Sequence, residues 1–128
     1  MLKFNIIKRK DPRDQSAKPL FYASLKRVQS IDLEYIANEL AEKSSISKGD
    51  VMSIVTNLID LVPKELANGR TVILGKLGSF RLSINSMGLE KKEDVSPEAI
   101  KKVNVRFRPS RTIKYLLGQL KFERLEFI

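Results

Sequence analysis

The sequence predicts an α+β fold, and three observations predict it. Apolar residues recur at helical spacing between positions 32 and 69, alternate at strand spacing on either side of that segment, and return to helical spacing over 110–122. The expected order is an N-terminal β-hairpin, a helical hairpin, a three-stranded antiparallel sheet with a β-arm, and a C-terminal helix. Residues 1–29 are read as a basic hairpin extension. Residues 30–128 are read as the main domain, with the arm at about 85–103.

Each element has its own signal. Leu2, Phe4 and Ile6 fall on one face of a strand; a polar, Pro-bracketed loop follows over 11–19, and residues 20–28 return to the sheet as its partner. The first helix spans 32–43, with Leu33, Ile36, Ala37, Leu40 and Ala41 on one side and Ser30 or Asp32 as its cap. Ser47-Lys48-Gly49-Asp50 is an acidic capping box for the second helix, whose stripe runs Val51, Ile54, Val55, Leu58, Ile59, Val62 and Leu66. Pro63 is expected to kink or divide that helix near Val62, and Asn68-Gly69 to end it. Residues 71–74 form a short strand before the turn Gly75-Lys76-Leu77-Gly78. Phe80, Leu82 and Ile84 then alternate with polar residues, as do Val103, Val105 and Phe107 after the arm. Ile113, Leu116, Leu117 and Leu120 line the last helix.

Composition narrows the function. The 128 residues include 24 Lys/Arg against 15 Asp/Glu, a net charge of +9. Residues 1–30 carry +6, residues 31–99 carry −3 and residues 100–128 carry +6. Such a surplus favours a polyanionic partner. With no cysteine, histidine or tryptophan, a disulfide, a Cys/His metal site and nucleophilic catalysis through Cys or a Ser–His pair are excluded. Asp50, Asp60 and Glu65 read as the solvated face of an amphipathic helix, so neither enzyme activity nor a cofactor is expected. No segment approaches the roughly 18 apolar residues of a membrane span, and the N-terminus lacks a signal-peptide core; a soluble cytoplasmic protein, free of membrane and small-molecule partners, is expected.

The sharpest local signal is Val105-Arg106-Phe107-Arg108-Pro109-Ser110-Arg111-Thr112-Ile113-Lys114. One strand face is apolar and the other cationic, and Pro109-Ser110 turns the chain into a helix capped by Ser110. Unpaired N–H groups at a helix start, flanked by arginines, suit phosphate. Lys76, Arg81, Arg106, Arg108, Arg111 and Lys114 are the expected contacts to a nucleic-acid backbone, with Lys101, Lys102, Arg9 and Lys10 behind them.

Three motifs, in order and at matching intervals over about residues 32–121, resemble the bacterial histone-like family of HU and integration host factor. They are Leu40-Ala41-Glu42-Lys43-Ser44-Ser45-Ile46-Ser47-Lys48, Leu77-Gly78-Ser79-Phe80, and Phe107-Arg108-Pro109-Ser110-Arg111-Thr112-Ile113-Lys114. The resemblance implies a nucleoid-associated protein that binds double-stranded DNA as an intertwined homodimer. Its arms would embrace the minor groove and bend the duplex, largely without sequence preference. Leu77, Phe80 and Phe107 would then belong to the shared core.

The arm departs from that family. It lacks the Asn-Pro tip that wedges between base steps, and it carries Glu90, Glu93 and Asp94, which repel phosphate. Ser96-Pro97-Glu98 reads instead as the cap, first residue and acidic first turn of a short helix. The glycine turn is shifted by one position, and Ser110 replaces the usual glycine. The N-terminal hairpin resembles the extension of the larger, Bacteroidetes-type members. RNA binding on the same fold, or a protein-interaction module built on the hairpin and acidic arm, are the competing expectations.

Overall fold

The computed structural model describes residues 1–125 and contains two compact units. One comprises Met1–Ser30 and the stretch from Leu116 onward; the other is Ile31–Tyr115. It is a mixed α+β structure with three α-helices and two three-stranded sheets, as the alternating periodicities predict.

The first unit is a sheet of β1 (Leu2–Arg9), β2 (Leu20–Leu25) and β6 (Phe122–Arg124), in the order β2-β1-β6. β2 runs antiparallel to β1, with Phe4 opposite Leu25 and Lys8 opposite Phe21. β6 lies parallel on the other edge, with Leu2 opposite Phe122. The loop between β1 and β2 holds itself by side-chain bonds to its own backbone. Asp11 accepts from the Arg13 N–H at 2.9 Å, and Asp14 accepts from the Ser16 hydroxyl at 2.6 Å. That hydroxyl, with the Ser16 N–H, holds the Asp14 carboxyl below its ordinary pKa.

β6 corrects the sequence reading, which carries the last helix to Phe122. Helix α3 (Arg111–Gly118) stops at a glycine, and the chain re-enters the first unit's sheet. The Leu2 N–H donates to the Lys121 carbonyl at 2.9 Å, and the Leu125 N–H to the Phe4 carbonyl at 3.0 Å. Helical spacing at Leu116, Leu117 and Leu120 hides this ending, because a strand's partner more than a hundred residues away leaves no local trace.

In the second unit, α1 (Leu33–Glu42) and α2 (Lys48–Ala67) form the helical hairpin. Asp32 caps α1, accepting from the Tyr35 N–H at 2.9 Å, and Ser47 caps α2, accepting from the Asp50 N–H at 3.3 Å. Gly69 at φ +80° ends α2 in the left-handed conformation that favours glycine. Pro63 does not divide α2, which runs through it as one helix of 20 residues. The proline is solvent-exposed, so water can satisfy the carbonyl it leaves unbonded one turn earlier, while the buried Leu66 anchors the continuation.

The sheet of this unit is β3 (Val72–Ile73), β4 (Gly78–Ser86) and β5 (Ile100–Pro109), in chain order and antiparallel. Gly78 joins the turn to the ladder at φ +142°, and a Cβ there would collide with the Arg108 carbonyl oxygen. Gly78→Ala is therefore expected to cost more than about 1 kcal/mol of stability, visible as a lower thermal midpoint, whereas Gly49→Ala meets open space and should not.

The arm is more compact than a projecting ribbon. The ladder closes at Ser86 opposite Ile100, and residues 87–99 connect its strands through two short 3₁₀ turns, Lys92–Asp94 and Pro97–Ala99. Ala99 is buried, and its carbonyl accepts from the Met87 N–H at 2.8 Å. The Ser96-Pro97-Glu98 reading holds as a helical turn but not as a side-chain cap. The Ser96 hydroxyl donates to Glu98 Oε2 at 2.6 Å instead, which keeps the Glu98 carboxyl below its ordinary pKa.

Candidate nucleic-acid interface

Strand parity and register sort β4 and β5 into two chemically opposite faces. Ser79 lies opposite Arg108, Arg81 opposite Arg106, Ser83 opposite Asn104 and Asn85 opposite Lys102. Every residue on this face is cationic or neutral-polar, and none is acidic. Two ties order it. Arg106 Nε donates to Ser83 Oγ at 3.1 Å, and Asn104 Nδ2 to Asn85 Oδ1 at 3.3 Å.

Placing Arg81 directly across from Arg106 is costly, because like charges opposite one another destabilise a sheet. No acid offsets the cost here. Among the described residues the ion pairs are Lys48–Glu34 and Arg70–Glu65, both elsewhere. A polyanion would neutralise this face from outside.

The face leads into the start of α3. Ile73, Gly75, Gly78, Ser79 and residues 108–111 with Lys114 line an open groove of about 340 Å³. It brings the predicted contacts Arg108, Arg111 and Lys114 together. Ser110 builds its floor. Its Oγ accepts from the Ile113 N–H at 3.3 Å as helix cap and donates to the Lys76 carbonyl, while its N–H donates to the Leu77 carbonyl at 3.3 Å. One serine thus holds helix start and glycine turn together, which explains serine where the resemblance leads one to expect glycine. Ser110→Ala should cost about 0.5–2 kcal/mol, measured by denaturant unfolding, and should loosen the groove.

The remaining predicted residues are placed less centrally. Lys102 lies on the cationic face near the arm, and Lys101 is the extra residue where the register shifts between Asn85 and Ser86. Lys76 sits in the turn, where its carbonyl has the structural role just described. Arg9 and Lys10 belong to the first unit, beside an open pocket with Lys18, Leu20 and Tyr22. The sequence reading does not single out Ser83 or Asn104, although the alternation that exposes Arg106 and Arg108 already places Asn104 with them.

The opposite face is apolar: Phe80, Leu82 and Ile84 across from Phe107, Val105 and Val103. Phe80 and Phe107 pack with ring centroids 4.9 Å apart. Val105 is 64% exposed, Ile84 54% and Phe107 46%, and Leu77 in the turn is half-exposed as well. On α2, Ile54 and Ile59 are also more than half exposed. Among the described residues the buried apolar side chains are Ala37, Val51, Leu66 and Ala99, a small core for so much apolar surface.

Comparison with known proteins identifies similar folds. A protein from Bacteroides vulgatus ATCC 8482, provisionally named a bacterial DNA binding protein, shares the fold with a TM-score of 0.66 at 17% identity over 97% of this chain. The chain spans about half (48%) of that protein's length. HU from Anabaena, in a cocrystal with DNA, aligns with a TM-score of 0.56 at 14% identity, covering 70% of this chain and all of its own. No curated protein matches the sequence. No helix among the described residues is long and apolar enough to cross a membrane. Residues 1–124 match the family described as an HU domain fused to a wHTH, Ig or glycine-rich motif, and the chain belongs to this HU-like family, HU-HIG.

Proposed function

We propose that this protein is an architectural DNA-binding protein of the nucleoid. It acts as a homodimer that grips double-stranded DNA largely without regard to sequence. The observation that carries the reading is the acid-free face of β4 and β5, where Arg81 opposes Arg106 and the arginines continue into the groove at the start of α3. Cations gathered this way recognise the phosphate backbone, which is the same for every sequence. The fold shared with an HU crystallised on DNA supports the same reading.

In this account the duplex contact of the proposed 30–128 domain lies within Ile31–Tyr115. Arg81, Arg106, Arg108, Arg111 and Lys114 form its centre, Lys76, Lys101 and Lys102 its margin, and Arg9 and Lys10 on the 1–29 extension an auxiliary contact. The apolar face, with Phe80, Phe107 and Leu77, is the dimer seam: a second copy would cover what one copy leaves in water. The arm, with Glu90, Glu93 and Asp94, contributes little to phosphate binding.

Affinity measured on several duplexes of unrelated sequence tests the proposal. Values within a few-fold of one another are expected, with prebent duplexes preferred if the protein bends DNA. A strong preference for one sequence, or for structured RNA over duplex DNA in competition, would contradict it.

A further inference from the structure

The first unit carries a surface that the duplex-binding reading does not use. Parity and register place Leu2, Phe4, Ile6 and Lys8 of β1, Phe21, Ala23 and Leu25 of β2, and Phe122 and Arg124 of β6 on one face of the sheet. Three of the six phenylalanines of the chain lie here. Phe21 is 69% exposed and Phe122 61%. Lys8 Nζ stands 5.8 Å from the centre of the Phe21 ring, and Phe4, Ala23, Leu25 and Phe122 line one shallow groove.

Among the described residues the face holds two cations and no acid. Glu123 pairs with Lys3 in the register of the other face, and Asp11 and Asp14 accept bonds within their own loop. Exposed aromatic rings flanked by cations are what a single-stranded nucleic acid needs. Its unstacked bases have π-faces to lay on rings, and its phosphates follow the positive charges. A duplex cannot lay its bases on these rings, because they are already stacked. A second copy of the chain is disfavoured electrostatically, since residues 1–30 carry a net +6 and would be brought against themselves.

We propose that this sheet face binds single-stranded nucleic acid, stacking bases on Phe21 beside Lys8 and on Phe122 beside Arg124. The surface and its ligand differ from those of the duplex-binding site, so either reading can fail without the other.

The test uses the full chain and fluorescence anisotropy with labelled oligo(dT), labelled oligo(U) and a labelled duplex. Binding of either strand supports the proposal and identifies the polymer; binding of neither overturns it. Phe21→Ala and Phe122→Ala should each weaken single-strand binding roughly 5- to 100-fold, with duplex affinity unchanged. Phe21→Leu, which keeps an apolar side chain but removes the ring, should lose affinity, and Phe21→Tyr should keep it. Lys8→Glu, an exposed surface change, covers the case in which Phe122→Ala disturbs β6. Unchanged single-strand affinity in Phe21→Ala and Lys8→Glu would overturn the proposal. So would a change in oligomeric mass without a change in binding, which would assign the face to a second copy.

Discussion

Replacing Arg106, Arg108 and Arg111 with alanine together is expected to weaken duplex binding at least 100-fold and on every sequence alike. The three belong to one surface: Arg106 opposes Arg81 in the ladder, and Arg108 and Arg111 line the groove where β5 meets α3. Each phosphate contact contributes about 0.9 to the slope of log affinity against log salt. The proposed homodimer would present each arginine twice, so the triple variant should lose up to about 5 from that slope. The fold should survive. None of the three is ion-paired among the described residues, and relieving the repulsion between Arg81 and Arg106 should raise thermal stability slightly. A variant of wild-type affinity would move the site elsewhere. One that loses affinity for a single sequence would make these residues base readers.

The second large effect concerns the apolar face. Phe107→Ala removes a ring packed on Phe80 and half-exposed in the single chain, and should cost about 3–5 kcal/mol. That magnitude applies only if a second copy buries the ring; an isolated chain would lose far less. Val105→Asp is the sharper probe. The residue is 64% exposed, so a carboxylate there costs an isolated chain little, but at a dimer seam it would be a buried, unpaired charge. Light scattering should show the dimer mass lost. The wild-type thermal midpoint should rise with protein concentration, as it must for a folded dimer. A monomer of constant midpoint, indifferent to both substitutions, would sink the seam.

These expectations rest on features unequally legible in the sequence. The two faces of β5 are plain in Val103, Val105 and Phe107 alternating with basic and polar residues, and the caps at Asp32, Ser47 and Ser110 are short-range chemistry that sequence displays directly. Tertiary facts are less visible. Gly78 reads only as a turn glycine, and its approach to the Arg108 carbonyl requires the strand register. Phe122 closes the segment read as the last helix, yet it pairs with Leu2 as a strand, and with that the phenylalanine cluster of the first sheet goes unread. Charge counting places +6 at each end of the chain but does not separate the residues that share a face from those that happen to be close in sequence.

The salt dependence of duplex affinity tests the central claim most directly. If the proposed dimer neutralises about six to ten phosphates, affinity should fall linearly in log–log coordinates, by about 10³ to 10⁵ between 50 and 200 mM salt. A flat dependence over that range would contradict the assignment of the arginine face to the DNA backbone.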